Sequence, residues 1–155
     1  MLENEPNEYK DKVHWILSYS YTFYLIMFLI GIFFDFLFPI KIFKNPFFVS
    51  IGLLFLVLAT LLILWAQKTS RNLKKETLTK KTFSKGPYFM SRSPTHWGLF
   101  LLLFGFGLTI NAFFLIVSSI ISLIVSKLIF LKKEELILEK KYGEPYLAYK
   151  KSVKF

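Results

Sequence analysis

Three long apolar stretches, separated by short polar ones, organise the chain. The first runs from Trp15 to Pro39 and is interrupted by Ser18, Ser20, Thr22 and one acid, Asp35. The second, Phe47 to Trp65, is apolar apart from Ser50 and Thr60. The third, Trp97 to Leu131, is too long for one ordinary span and needs a break. Asn111, the strongly polar residue near its middle, is where the break is expected. The apolar positions are continuous rather than spaced along one face, so lipid rather than water is the expected solvent.

Backbone in lipid must satisfy its polar groups internally, so each stretch predicts a helix. Lys41, Lys44, Asn45 and Pro46 make a short turn, which predicts that the first two helices pair antiparallel. Splitting the third stretch at Asn111 predicts a tight hairpin, roughly 94–110 and 112–131. Its first arm reaches only about 26 Å, slightly short of a hydrocarbon core of about 30 Å. Ser93 fits an N-cap and Pro94 the first helical position, where a missing N–H is harmless. The second arm continues past the membrane as 132–142, with Gly143 as its stop. The fold class is therefore all-α: a polytopic membrane protein of about four transmembrane helices with a C-terminal helical hairpin and a cytoplasmic tail. It divides into a helix pair (1–66), a basic connection (67–92) and the hairpin with its C-terminal segment (93–155), within a single domain overall.

Composition agrees. Of 155 residues, 54% are hydrophobic and 19 are Phe, more apolar surface than a small soluble fold could hide. Without cysteine there is no disulfide, thiolate catalysis or thiolate metal site. His14 and His96 are the two histidines, neither with a second ligand cluster nearby, so no metal is expected. The acidic, mixed start is unlike a cleaved signal peptide, and the first apolar run reads as a retained span. The net charge of +10 does not point to nucleic acid, because the basic residues lie between and after the apolar runs, where anionic headgroups lie. The connection carries Lys68, Arg71, Lys74, Lys75, Lys80, Lys81, Lys85 and Arg92 against Glu76 alone, which places it and both termini in the cytoplasm.

Chemistry concentrates after Lys85. Gly86-Pro87-Tyr88 is followed by Arg92-Ser93-Pro94-Thr95-His96-Trp97-Gly98, then the hairpin, Glu134-Glu135, and Tyr142-Gly143-Glu144-Pro145-Tyr146 with Tyr149. This ordered set resembles the isoprenylcysteine carboxyl methyltransferase and phospholipid methyltransferase superfamily over about residues 85–153. The resemblance implies S-adenosylmethionine as cofactor and a lipid or lipidated (prenylated-cysteine or phospholipid-like) acceptor at the membrane. It also implies cofactor contacts from Gly86, Tyr88, Arg92, Pro94, His96, Gly98, Glu134, Glu135, Tyr146 and Tyr149, with Arg92, His96 and Glu135 as the catalytic candidates. Two positions depart from the pattern: Ser93 stands where His is usual before Pro, and His96 where Tyr is usual. A non-catalytic scaffold relative and an NADPH-dependent membrane reductase are the competing readings.

The residues themselves suit such a cofactor. Its carboxylate needs a cation, and its ammonium or ribose hydroxyls need carboxylates. A hairpin brings Arg92, at the start of the third helix, to Glu134 and Glu135, at the end of the fourth. Methyl transfer from a sulfonium is a direct displacement that needs alignment and exclusion of water rather than a covalent nucleophile. Each residue also has a plainer reading. Arg92 could be a positive-inside anchor, Glu134 and Glu135 part of a solvated helix face, His96 and Trp97 members of the interfacial belt, and the tyrosines ordinary interface aromatics. Gly98, Gly105 and Gly107 read as small residues for close helix packing. Asp35 is expected to make a headgroup-level or interhelical contact. Lys127 reads as a snorkelling lysine, with binding of an anionic group the alternative.

Overall fold

The structure, a computed structural model, describes residues 5–72 and 83–153, with side chains described from Trp15 onward except those of Leu17, Arg71 and Asn72. The side chain of His14 and residues Lys74, Lys75, Glu76, Lys80 and Lys81 of the basic connection lie outside the described residues. All regular structure among the described residues is helical: α1 (Glu5–Leu37), α2 (Phe47–Asn72), α3 (Pro94–Ile110), α4 (Phe113–Val125), α5 (Leu131–Tyr142) and α6 (Glu144–Ser152). A short 3₁₀ turn, Gly86–Phe89, precedes α3, and a π-helical turn, Ser126–Phe130, joins α4 to α5 without a break. Three helical stretches are long and apolar enough to cross a membrane: Ser18–Leu37, Phe47–Ser70 and Phe113–Tyr142. With the shorter apolar α3 they make a polytopic all-α membrane protein.

The hairpin turn falls where the sequence placed it. Asn111 adopts the left-handed conformation (φ 56°, ψ 51°) that closes α3, which a short polar side chain tolerates. The same side chain also fastens the α1–α2 loop. Its Oδ1 accepts from the N–H groups of Ile42 (3.0 Å) and Phe43 (3.1 Å), and its Nδ2 donates to the Phe43 carbonyl. Asp35 makes the interhelical contact expected of it. Its carboxylate accepts from Phe114 N (3.0 Å) and Leu115 N (2.9 Å), capping α4 from a neighbouring helix. Those N–H groups have no partner within α4, so a carboxylate there satisfies them and meets the positive end of the helix dipole.

One expectation is overturned. The first two helices do not pair with each other: α2 packs along α3, α1 along α4, and the hairpin lies between them. Close backbone approach explains the choice. A Cβ on Gly105 would sit 2.9 Å from the Gly52 carbonyl oxygen, and one on Gly31 would sit 2.9 Å from the Leu115 Cα. These contacts bring α2 onto α3 and α1 onto α4, whereas the α1–α2 loop is pinned to the hairpin turn and sets no pairing of its own. The packing role read for Gly98, Gly105 and Gly107 holds: a Cβ on Gly98 would meet the Ile63 side chain, and one on Gly107 would come 2.8 Å from Ile116 Cγ1. Ser93 occupies the N-cap position of α3 but makes no side-chain capping bond. Its own N–H donates to Ser91 Oγ instead (3.2 Å).

Beyond the spans, Gly143 (φ 60°) ends α5 and lets α6 fold back. Phe83, Tyr146, Tyr149 and Val153 then form a small buried core, with Tyr88, Leu138 and Tyr142 packed against it. The ring of Phe83 lies within 6 Å of three tyrosine rings, 5.1 Å from Tyr142, 5.6 Å from Tyr146 and 5.9 Å from Tyr149. The tail is thus stapled to the segment that leads into α3.

Candidate functional site

The chain folds so that the start of α3, α5 and the tail converge at one end of the bundle. Gly86 (φ 59°) turns the 3₁₀ segment against α2, where a Cβ would crowd Thr69 and stand 3.2 Å from Trp65 Nε1. Pro87 and Pro94 are fully buried there and rigidify both sides of Arg92. The Tyr149 hydroxyl donates to the Tyr88 carbonyl oxygen (2.8 Å), tying α6 to the same segment.

Arg92 and Glu135 meet at this point, with Nη1 2.7 Å from Oε1 in an ion pair. The other carboxylate oxygen of Glu135 lies 2.9 Å from Lys150 Nζ, and Lys150 also pairs with Glu139. Hydrogen bonds to Glu139 and then Glu135 hold the Lys150 ammonium above its ordinary range. Glu134 lies beside Glu135, is equally buried, and its Oε1 has no hydrogen-bond partner among the described residues. A buried carboxylate oxygen left without a donor is costly.

The tyrosines wall this corner. Burial pushes the hydroxyls of Tyr88, Tyr146 and Tyr149 above the ordinary phenol range, with neighbouring Glu134 or Glu135 charge adding to the effect. They therefore stay neutral donors wherever the carboxylates are charged.

Not every residue singled out from the sequence reaches this corner. Gly98 is packed on α2. His96 is buried against α1: its Nε2 lies 2.8 Å from Ser20 Oγ, and its carbonyl accepts from the Tyr24 hydroxyl (3.3 Å). Glu139 and Lys150 complete the charge cluster, yet nothing in their local sequence distinguishes them from other surface charges. The signal available was spacing: Glu139 follows Glu135 by one helical turn.

Residues 47–145 match the phospholipid methyltransferase family, well over half of the chain. The chain belongs to that family. No curated protein and no solved structure matches it. Phospholipid methyltransferases are membrane enzymes that methylate lipids. The family match takes in α2, the whole convergent corner except α6, and the Glu134–Glu135 pair, but leaves α1 outside.

Proposed function

We propose that this phospholipid methyltransferase relative transfers a methyl group from S-adenosylmethionine to a lipid acceptor at the cytoplasmic face of the membrane. The observation that carries the reading is the Arg92–Glu135 ion pair with the buried Oε1 of Glu134 beside it, which has no hydrogen-bond partner among the described residues. The residues fit that cofactor. Arg92 would hold its carboxylate, Glu134 and Glu135 its ammonium or ribose hydroxyls, and Tyr88, Tyr146 and Tyr149 the adenine. When bound, the cofactor supplies an electrophilic methyl on a sulfonium.

The chain's own residues do the rest. The aromatic tail excludes water, and Arg92 and Glu135 fix the approach of the reactants. If the acceptor is an amine, its proton leaves to Glu134; a carboxylate acceptor needs no base. His96, with Nε2 engaged by Ser20, is assigned to positioning the start of α3 on α1 rather than to proton transfer. The cytoplasmic placement rests on the cluster of Lys132, Lys133, Lys140, Lys141 and Lys151 at the same end as Lys85 and Arg92. The helix pair, connection and hairpin act as one unit in this reading.

Titration of the detergent-purified protein with S-adenosylmethionine, and in parallel with NADPH, tests it. Saturable micromolar binding of the first alone is expected, and Arg92→Ala should abolish it while the protein still inserts. Binding of NADPH alone, or of neither, would refute the methyltransferase reading.

A further inference from the structure

A charged side chain inside a spanning helix is rare and is usually paired or in use. Lys127 is the one charged residue between Phe113 and Leu131. It falls in the π-helical turn Ser126–Phe130, a departure from α-helix that is frequent at functional positions. Its Nζ lies 4.4 Å from the centroid of the Trp97 ring, and no carboxylate pairs with it among the described residues. Lys127 is half-buried, while the next two residues, Leu128 and Ile129, are 58% and 46% exposed on the lipid-facing surface. The ammonium therefore stands at the lipid edge of the seam between the π turn and the first turn of α3. A ring face attracts the cation but leaves N–H donors and the positive charge unneutralised.

From this juxtaposition we infer that Lys127, seated on Trp97, binds the phosphate of a membrane lipid. A phosphodiester supplies the missing negative charge and several acceptor oxygens. The lipid's acyl chains would lie along the exposed Ile120, Ile121 and Ile124, deeper in the bilayer than Lys127. The headgroup beyond the phosphate then points toward Glu134, seven residues further on and about 10 Å along the helix. That the lipid is the methyl acceptor rests on the methyltransferase reading above; the phosphate contact does not.

The test uses the full chain with Trp15→Phe and Trp65→Phe, so that Trp97 alone reports. It is titrated with a short-chain phospholipid, with diacylglycerol of the same chains, and with inorganic phosphate. The phospholipid should saturate a change in Trp97 emission. Lys127→Gln should weaken that binding about tenfold, the loss expected of one charge-assisted contact, and Lys127→Arg should retain it. Diacylglycerol should bind both proteins alike, and inorganic phosphate should not saturate. Equal phospholipid binding by Lys127→Gln and its parent would overturn the proposal and leave Lys127 a snorkelling anchor. Inorganic phosphate binding as well as the lipid would overturn the lipid source. S-adenosylmethionine titration of the same two proteins separates this from the proposed function. Lys127-dependent lipid binding without cofactor binding would sink the methyltransferase and keep the phosphate site, and the reverse would do the opposite.

Discussion

Glu135 shares its two carboxylate oxygens between cations in different surroundings, and this permits a sharp test by double-mutant cycles. The side chains of Arg92 and Glu135 are 18% and 9% exposed, whereas that of Lys150 is 34% exposed. An ion pair largely removed from water has a strong coupling, and breaking one partner leaves the other charge buried. For such pairs the loss on removing one side is about 3–5 kcal/mol. An exposed pair is worth about 0.2–1 kcal/mol, and Lys150 keeps Glu139 when Glu135 is neutralised. The cycle Arg92→Met with Glu135→Gln should therefore return a coupling of about 2 kcal/mol or more, allowing for partial exposure. The cycle Lys150→Met with Glu135→Gln should return less than about 1 kcal/mol. Reversible unfolding in mixed micelles supplies the stabilities, and cofactor calorimetry on the same proteins asks whether coupling in folding and in binding coincide. Equal coupling in the two cycles, or an Arg92–Glu135 coupling under about 0.5 kcal/mol, would refute the claim that this pair is the buried centre of the corner.

Asp35→Ala should destabilise the fold by about 2–3 kcal/mol through loss of two charge-assisted bonds to the α4 terminus, with cofactor affinity unchanged; a midpoint equal to wild type in micelle denaturation would contradict this. Gly105→Ala puts a Cβ 2.9 Å from the Gly52 carbonyl oxygen and should cost about 1–3 kcal/mol by overpacking α2 on α3, read in the same assay. Raised phenol values make the tail sensitive to alkali: the contribution of Tyr88, Tyr146 and Tyr149 is full below the unfolded value near 10 and is lost as pH rises through their higher folded values. Tyrosinate absorbance should accordingly lag in the native protein, and Phe substitutions at these positions should reduce the late-titrating fraction; simple titration of every tyrosine near 10 would contradict the burial.

How much of this was legible in the sequence depends on the range of the interaction. The positions of the spans and the break at Asn111 followed from local composition, because lipid admits only helices with their polar groups satisfied. The meeting of Arg92 with Glu135 also followed, since a hairpin closed at Asn111 brings the ends of its two arms to one depth. Helix neighbours were another matter. Apolar residues lie on every side of α1 and α2, so hydrophobic periodicity names no partner, and a short loop suggested a pairing that Gly31, Gly52 and Gly105 override by admitting backbones closely elsewhere. The π turn was equally hidden, because Ser126–Phe130 contains no residue that marks a widened ring. Nothing local in the sequence singles out Lys150, since only the fold-back at Gly143 carries it to Glu135.

The helix with no recognisable motif does the most to orient those that have one. Within α1, Ser20 and Tyr24 engage His96 at the start of α3, and fifteen residues after Ser20, about 22 Å along the helix, Asp35 caps the start of α4. These contacts grip the two arms of the hairpin at opposite ends. An arm held at one end can still rotate about its axis, but α1 bonds to both arms, and Asn111 locks the turn between them to the preceding loop. Rotation of α3 would swing Arg92 away from Glu135, and rotation of α4 would carry Lys127 off the face of Trp97. The polar residues of α1 thus set the register in which the charged corner and the Lys127–Trp97 pair both exist. This explains how a span outside the family match sets the geometry of the charged corner.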